Sequence, residues 1–271
     1  MAGRFTNLEF RSSGGGPEAG GPGLSEPPAS ESRRYFDAVE KSASYYLDQA
    51  VACEMSGELE DSLRAYSAAL GEDAQLLDAW VGQLWILLEH REYPEVELWS
   101  RKALAYFPEN PSLLAVCSLA LHRMSRQDDA RAMNDNAMGK EGNIDIVWLS
   151  RGEIMIEGKR ATVEECFNRA KRVASHPGLT RLRIASVCAY NKKYQLALQE
   201  LMELTSLCSD SARVWAMLGV IQGKLGFTKK AVASLTQAIE LAPGNPEYKI
   251  QLNALESGFM SRILGFFRRN R

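Results

Sequence analysis

The run WAMLGVIQGKLGFTKKAVASLTQAIELAP, residues 215–243, holds the pattern on which the fold turns. Apolar residues recur every three or four positions on both sides of Gly226, which predicts two helices joined by a turn. Trp215 opens the first helix, and Gly219 follows where a neighbouring helix can come close. Ala231 and Ala238 keep the second helix slim, and Pro243 ends it because the proline ring cannot continue a helix. Towards the N-terminus an opening residue recurs at Arg181, Trp148, Leu114, Trp80 and Tyr46, at intervals of 34, 33, 34, 34 and 34 residues. A fixed period of this length marks an array of helix pairs, none of which can bury its apolar face alone.

The inner positions keep the same register. Four residues after each opener stand Ala50, Leu84, Ser118, Gly152, Ala185 and Gly219, where only Leu84 is bulky. At the close contact of the second helices stand Ser62, Val96, Ala130, Ala197 and Ala231; further on come Ala69, Ala103, Ala137, Ala170, Leu204 and Ala238. The run Trp215, Leu218, Gly219, Gly226, Ala231, Leu235, Ala238, Pro243 resembles the tetratricopeptide-repeat (TPR) consensus at each place. The copy at Trp80 is nearly as good, and those at Leu114 and Arg181 are degenerate. The resemblance implies an all-α fold, a right-handed TPR α-solenoid of six helix-turn-helix repeats.

Local signals set the boundaries. Asn110-Pro111 and Asn245-Pro246 place a capping Asn before a helix-starting proline. Gly57, Gly158 and Gly226 mark turns between paired helices, and Thr162 with Glu165 reads as a capping box opening a second helix. The one missing residue falls between Glu157 and Thr162, in the turn of the fourth repeat. Residues 246–256, with Tyr248, Leu252 and Leu255 at helical spacing, read as a C-terminal cap helix. Arg34 to Ala43 either extend the first helix or cap that end. The expected organisation is an apolar motif at 1–11, a linker at 12–32, the solenoid with its cap helix at 33–257, and a basic amphipathic tail at 258–271.

Composition narrows the function. The 271 residues are 45% hydrophobic and 24% charged, with a net charge of −2, so there is no basic excess pointing to nucleic acid. Neither a signal-peptide core nor an apolar stretch of membrane-spanning length stands out, so a cytoplasmic protein is expected. The five cysteines lie far apart with no CxxC pair, and read as buried small hydrophobes. Three scattered histidines and no phosphate loop, HExxH or GxSxG motif leave no basis for a metal, a cofactor, a small-molecule substrate or an enzyme. The acid pairs Asp128-Asp129 and Glu164-Glu165 read as favourable charges at the starts of second helices.

In the family that the repeat resembles, the first helices line a concave groove that binds peptides or partner helices. Its best-known version uses Lys, Asn and Arg to clamp the acidic C-terminus of chaperones. Here the groove positions are Leu47 and Val51, Val81 and Trp85, Ala115 and Leu119, so that clamp is disfavoured. The channel turns polar at Ser150, Glu153, Arg183 and Ser186. Two readings stay open: an apolar partner anchored on Trp85, or simple packing between helices.

Both ends add candidates. Residues 12–32 are rich in Gly, Pro and Ser and cannot bury enough surface to fold. Before them Phe5, Leu8 and Phe10 form either a short docking motif, acting on a partner or on the chain's own groove, or an incidental terminus. In the tail Phe259, Met260, Ile263, Leu264, Phe266 and Phe267 share one helical arc, with Arg262, Arg268 and Arg269 opposite. That tail is expected to make weak contact with an anionic membrane surface or to fold onto the last repeat. The function expected is a non-catalytic adaptor holding a protein partner. The rivals are a membrane-peripheral scaffold and a chaperone shielding an apolar assembly or export substrate.

Overall fold

The computed structural model describes residues 42–140 and 143–269, the side chains of 258–269 excepted. Phe5, Leu8, Phe10 and the linker therefore lie outside the described residues, as do the side chains of the tail candidates Phe259 to Arg269. Thirteen α-helices and no strand are found among the described residues. Twelve form six pairs: α1 (Ala43–Ser56) with α2 (Leu59–Glu72), α3 (Leu77–Glu89) with α4 (Tyr93–Tyr106), and α5 (Pro111–Arg123) with α6 (Gln127–Met138). Then come α7 (Asp145–Ile154) with α8 (Arg160–Val173), α9 (Pro177–Tyr190) with α10 (Tyr194–Leu207), and α11 (Ala212–Lys224) with α12 (Thr228–Leu241). A final helix, α13 (Pro246–Arg269), packs on α12 and α11 through Tyr248, Leu252 and Leu255 and runs on past the expected end of the cap.

The pairs follow the sequence register. Every small residue at the helix crossings is buried, and so is Leu84. At Gly152 an added Cβ would lie 2.4 Å from the Phe167 ring, and at Gly219 it would lie 2.7 Å from Leu235. The openers also fasten the repeats to the loops before them. The indole N–H of Trp80 donates to the Ala74 carbonyl (3.0 Å), that of Trp215 to the Ser209 carbonyl (2.8 Å), and that of Trp148 to Asn143 Oδ1 (2.7 Å).

The turns within pairs share one construction. In five repeats a backbone N–H reaches five residues back: Glu58 to Cys53, Glu92 to Leu87, Arg126 to Leu121, Lys193 to Cys188 and Phe227 to Gln222. The residue before each donor has positive φ: Gly57, Arg91, Ser125, Lys192 and Gly226. This is the left-handed helix stop that satisfies otherwise orphaned carbonyls. The fourth repeat departs from it. There α7 ends at Ile154 and a longer turn, held by Gly158 N–H on the Met155 carbonyl (2.8 Å), leads to α8. The missing residue thus falls in a rebuilt turn.

Helix starts agree with the sequence in part. Asn110 Oδ1 accepts from Ser112 and Leu113, and Asn245 Oδ1 accepts from Glu247. Ser42 caps α1 at the Tyr45 N–H. The capping box at Thr162 and Glu165 is not formed: α8 begins three residues earlier, after Lys159, with no side-chain cap. Glu165 instead pairs with Arg169 and Arg172, and Glu164 pairs with Arg160. With the helix starting at Arg160, both acids lie beyond its first turn. Among the cysteines, Cys117, Cys166 and Cys188 are buried as expected, while Cys53 and Cys208 are half-buried.

Candidate functional site

The array curves until its ends meet. Helix α1 packs against α9 and α11, so the first repeat touches the fifth and sixth. The expected open groove is therefore covered by the chain itself. Trp85 and Leu119 are wholly buried, Val81 is 8% exposed, Leu47 is half-buried against the core, and Val51 is half-buried. Of the two readings left open, the geometry corresponds to packing between helices.

The polar members of the supposed groove are engaged within the chain as well. Glu54 of α1 accepts from Arg183 Nε (3.0 Å) and Nη2 (2.9 Å), and from the Tyr66 hydroxyl (2.9 Å). Burial by itself would lower the affinity of Arg183 for its proton, but Glu54 and Tyr66 outweigh it and hold the guanidinium above its usual pKa. The Arg183 guanidinium also lies 5.1 Å from the centre of the Trp85 ring. Glu153 is fully buried and accepts from Arg123 Nε (2.9 Å) and Nη2 (3.0 Å) and from Asn191 (3.1 Å). Arg123 stacks over the Tyr190 ring at 4.3 Å. Glu89 accepts from Ser186 (3.0 Å) and from Arg213. Burial pushes the Glu89 carboxyl up, but Arg213 and Ser186 more than offset this and hold it below its ordinary value.

The last repeat also finishes the first helix. The Glu54 carbonyl accepts from Arg213 Nη1 (2.6 Å), the Met55 carbonyl from Ser211 Oγ (2.6 Å), and the Ser56 carbonyl lies 3.5 Å from the Tyr248 hydroxyl. Helix α1 has no basic residue in its last turn, and Arg213 supplies the cation that the helix dipole favours there. Close by, a Cβ at Gly57 would come within 2.7 Å of the Tyr248 hydroxyl.

Sequence reasoning missed Glu54, Glu89, Arg123 and Arg213 as members of the inner network. Their signal was charge of both signs on first helices, whose inner faces are otherwise apolar. Buried charges persist when paired and hydrogen-bonded.

Part of the concave face stays open. Where the first helices end, a cleft of about 440 Å³ is walled by Leu59, Met217 and Val220, with Arg91 and Tyr190 among its lining residues. Arg91 is exposed and forms no ion pair among the described residues. Burial and the neighbouring Tyr190 hydroxyl push the Tyr93 phenol up to about 12.

The tetratricopeptide-repeat family model matches residues 212–245, the same repeat whose spacing decided the fold. Residues 212–245 are a tetratricopeptide repeat, set in a solenoid of six such helix pairs. No curated protein matches the chain. Among solved structures the chain is similar to one of the APC/C hetero-tetramer Cut9-Hcn1, with 14% identity and a TM-score of 0.46 over 83% of this chain. It spans 45% of that chain's length. It is also similar to a thermophilic TPR protein of Thermus thermophilus, with 17% identity and a TM-score of 0.46 over 79% of this chain and 98% of that one. A third similar structure is YrrB, a TPR protein with an unusual peptide-binding site, at 16% identity and a TM-score of 0.37 over 83% of this chain and 97% of that one.

Proposed function

We propose that this protein is a non-catalytic adaptor that holds a segment of a partner protein at the mouth of its closed array. The observation carrying this reading is the cleft of about 440 Å³, where Met217 and Val220 stand half-exposed beside Arg91 and Tyr190. An apolar recess with a few polar groups around it is the usual form of a binding site. Phe5, Leu8 and Phe10 belong to the same proposal as a short motif that docks on a partner. Five free thiols suit a reducing compartment, and we place the protein in the cytoplasm. The test is cross-linked capture from cell extract with the full chain, a Met217→Arg/Val220→Glu variant, and a chain lacking residues 1–11. Loss of one specific partner by the cleft variant, with its circular dichroism unchanged, supports the cleft. An identical partner set for all three proteins overturns it.

A second reading, a membrane-peripheral scaffold, draws on the unbroken course of α13 to Arg269. In the sequence Phe259, Ile263, Phe266 and Phe267 recur at helical spacing, with Arg262, Arg268 and Arg269 between and after them. No helix among the described residues is long and apolar enough to cross a membrane. Sedimentation with anionic liposomes compares the full chain with one ending at Glu256; equal sedimentation removes this reading.

A further inference from the structure

The edge formed by the turns within pairs changes character along the array. In the first three repeats the second helices begin with acids: Glu60 and Asp61, then Glu95, then Asp128 and Asp129. That is the arrangement a helix N-terminus favours. In the last three repeats the first turns of α8, α10 and α12 contain no acid and have no side-chain cap. Cations stand there instead: Lys159 and Arg160, Lys192 and Lys193, Lys229 and Lys230. All are exposed except Lys193, which is half-buried. Arg160 is paired with Glu164 and Lys193 with Glu157, whereas Lys159, Lys192 and Lys229 form no ion pair among the described residues. Cations crowded at three successive helix N-termini oppose the helix dipoles and one another. An anion docked along the edge would relieve both.

The same edge has an apolar recess. A pocket of about 360 Å³ lies between the rebuilt fourth turn and the fifth, lined by Ile156, Val163, Leu196 and Leu225 with Arg160, Lys192 and Lys193. No carboxylate lines it. Phe227 follows on the sixth turn, 49% exposed, with Lys230 Nζ 5.9 Å from its ring centre.

We propose that this edge of repeats four to six docks an extended acidic peptide segment carrying one bulky apolar residue. The apolar side chain enters the pocket, and the carboxylates on either side of it pair with Lys192, Lys229 and their neighbours. Uncovered lysines flanking an apolar pocket without carboxylates are complementary to that chemistry. The surface shares no lining residue with the cleft at the mouth of the array, so the two readings stand or fall separately.

The probe is a fluorescein-labelled peptide of alternating Asp and Glu around a central Phe. Its anisotropy is followed with the full-length protein at physiological ionic strength. Binding should weaken at least about tenfold when Phe becomes Gly, when the acids become Asn and Gln, and in the Lys192→Glu/Lys229→Glu variant. Both lysines are exposed, so circular dichroism should not change. An Arg131→Glu/Lys249→Glu variant, carrying the same charge change elsewhere, should bind as the parent does. Equal binding of the neutral or Phe-free peptide overturns the proposal, as does equal weakening by both charge-reversed variants. Tighter binding of a phosphatidylserine vesicle or a DNA oligonucleotide through the same lysines also overturns it, in favour of that polyanion. Loss of the captured partner in the Met217→Arg/Val220→Glu variant bears on the cleft alone.

Discussion

Arg183 and Glu54 stand 129 residues apart in sequence and are joined by two hydrogen bonds of 3.0 and 2.9 Å inside the array. Replacing Arg183 with Met would leave a buried carboxylate with the Tyr66 hydroxyl as its remaining donor, at a cost of about 3–5 kcal/mol. Glu54→Gln in the same chain removes that stranded charge and should restore much of the loss. Urea unfolding of the two single variants and the double variant gives the coupling; simple additivity would show that the pair does not act as a unit.

Ser125 holds a left-handed conformation, φ 65°, at a turn where the first and sixth repeats use glycine. A side chain there costs about 1 kcal/mol, part of which glycine loses again through its freer unfolded chain. Ser125→Gly should therefore raise stability by about 0.5 kcal/mol. A lowered midpoint in denaturant would contradict this.

Gly152 lies under Phe167, and an added methyl would come within 2.4 Å of that ring. Gly152→Ala should cost about 1–3 kcal/mol, because a packed core cannot absorb the overlap. Adding Phe167→Leu should recover part of it. Thermal unfolding of the single and double variants decides the matter, and no recovery would place the strain elsewhere.

Glu89 carries the pH dependence of the contact between the second and sixth repeats. Its carboxyl is held below 4.5, the ordinary carboxyl value. A depressed carboxyl contributes stability that is fully present above its unfolded pKa and lost as pH falls through its folded one. Wild type should thus lose stability below about pH 4.5, and Glu89→Gln should lose less over that range. Parallel pH profiles for the two proteins would assign the acid sensitivity to other groups.

The thiols should separate by accessibility. Cys53 and Cys208 are half-buried, whereas burial pushes the Cys117 thiol up to about 11 and raises Cys188 as well. A thiol-reactive disulfide reagent should label Cys53 and Cys208 in the native protein and reach Cys117 and Cys188 only in denaturant. Peptide mapping of the native adduct reads this directly.

The repeat was legible because its determinants are local. A period of 34, slim residues at crossings such as Gly152 and Gly219, and turn glycines such as Gly57 and Gly226 all act within one helix pair. The closure was not legible, since small rotations between neighbouring repeats accumulate before Glu54 meets Arg183. No local pattern records that sum. Trp85 and Leu119 were expected to line an open groove, yet both are wholly buried, and Arg183, distant in sequence, lies against the Trp85 ring. Glu164 and Glu165 misled for a smaller reason. Helix α8 starts after Lys159, three residues before the Thr162 cap that the pattern suggested, so both acids sit past its first turn.

A linear array of repeats frays from its two tips, and its length can change one unit at a time. Here the carbonyls that end α1 rest on Arg213 and Ser211 of the sixth repeat, so the chain behaves as a belt whose buckle is made from both tips. Removing the sixth repeat would unfasten the first, and inserting a seventh would carry Arg213 away from the carbonyls it serves. The number of repeats is thereby fixed, and melting should proceed in one cooperative step where an open array would unravel gradually.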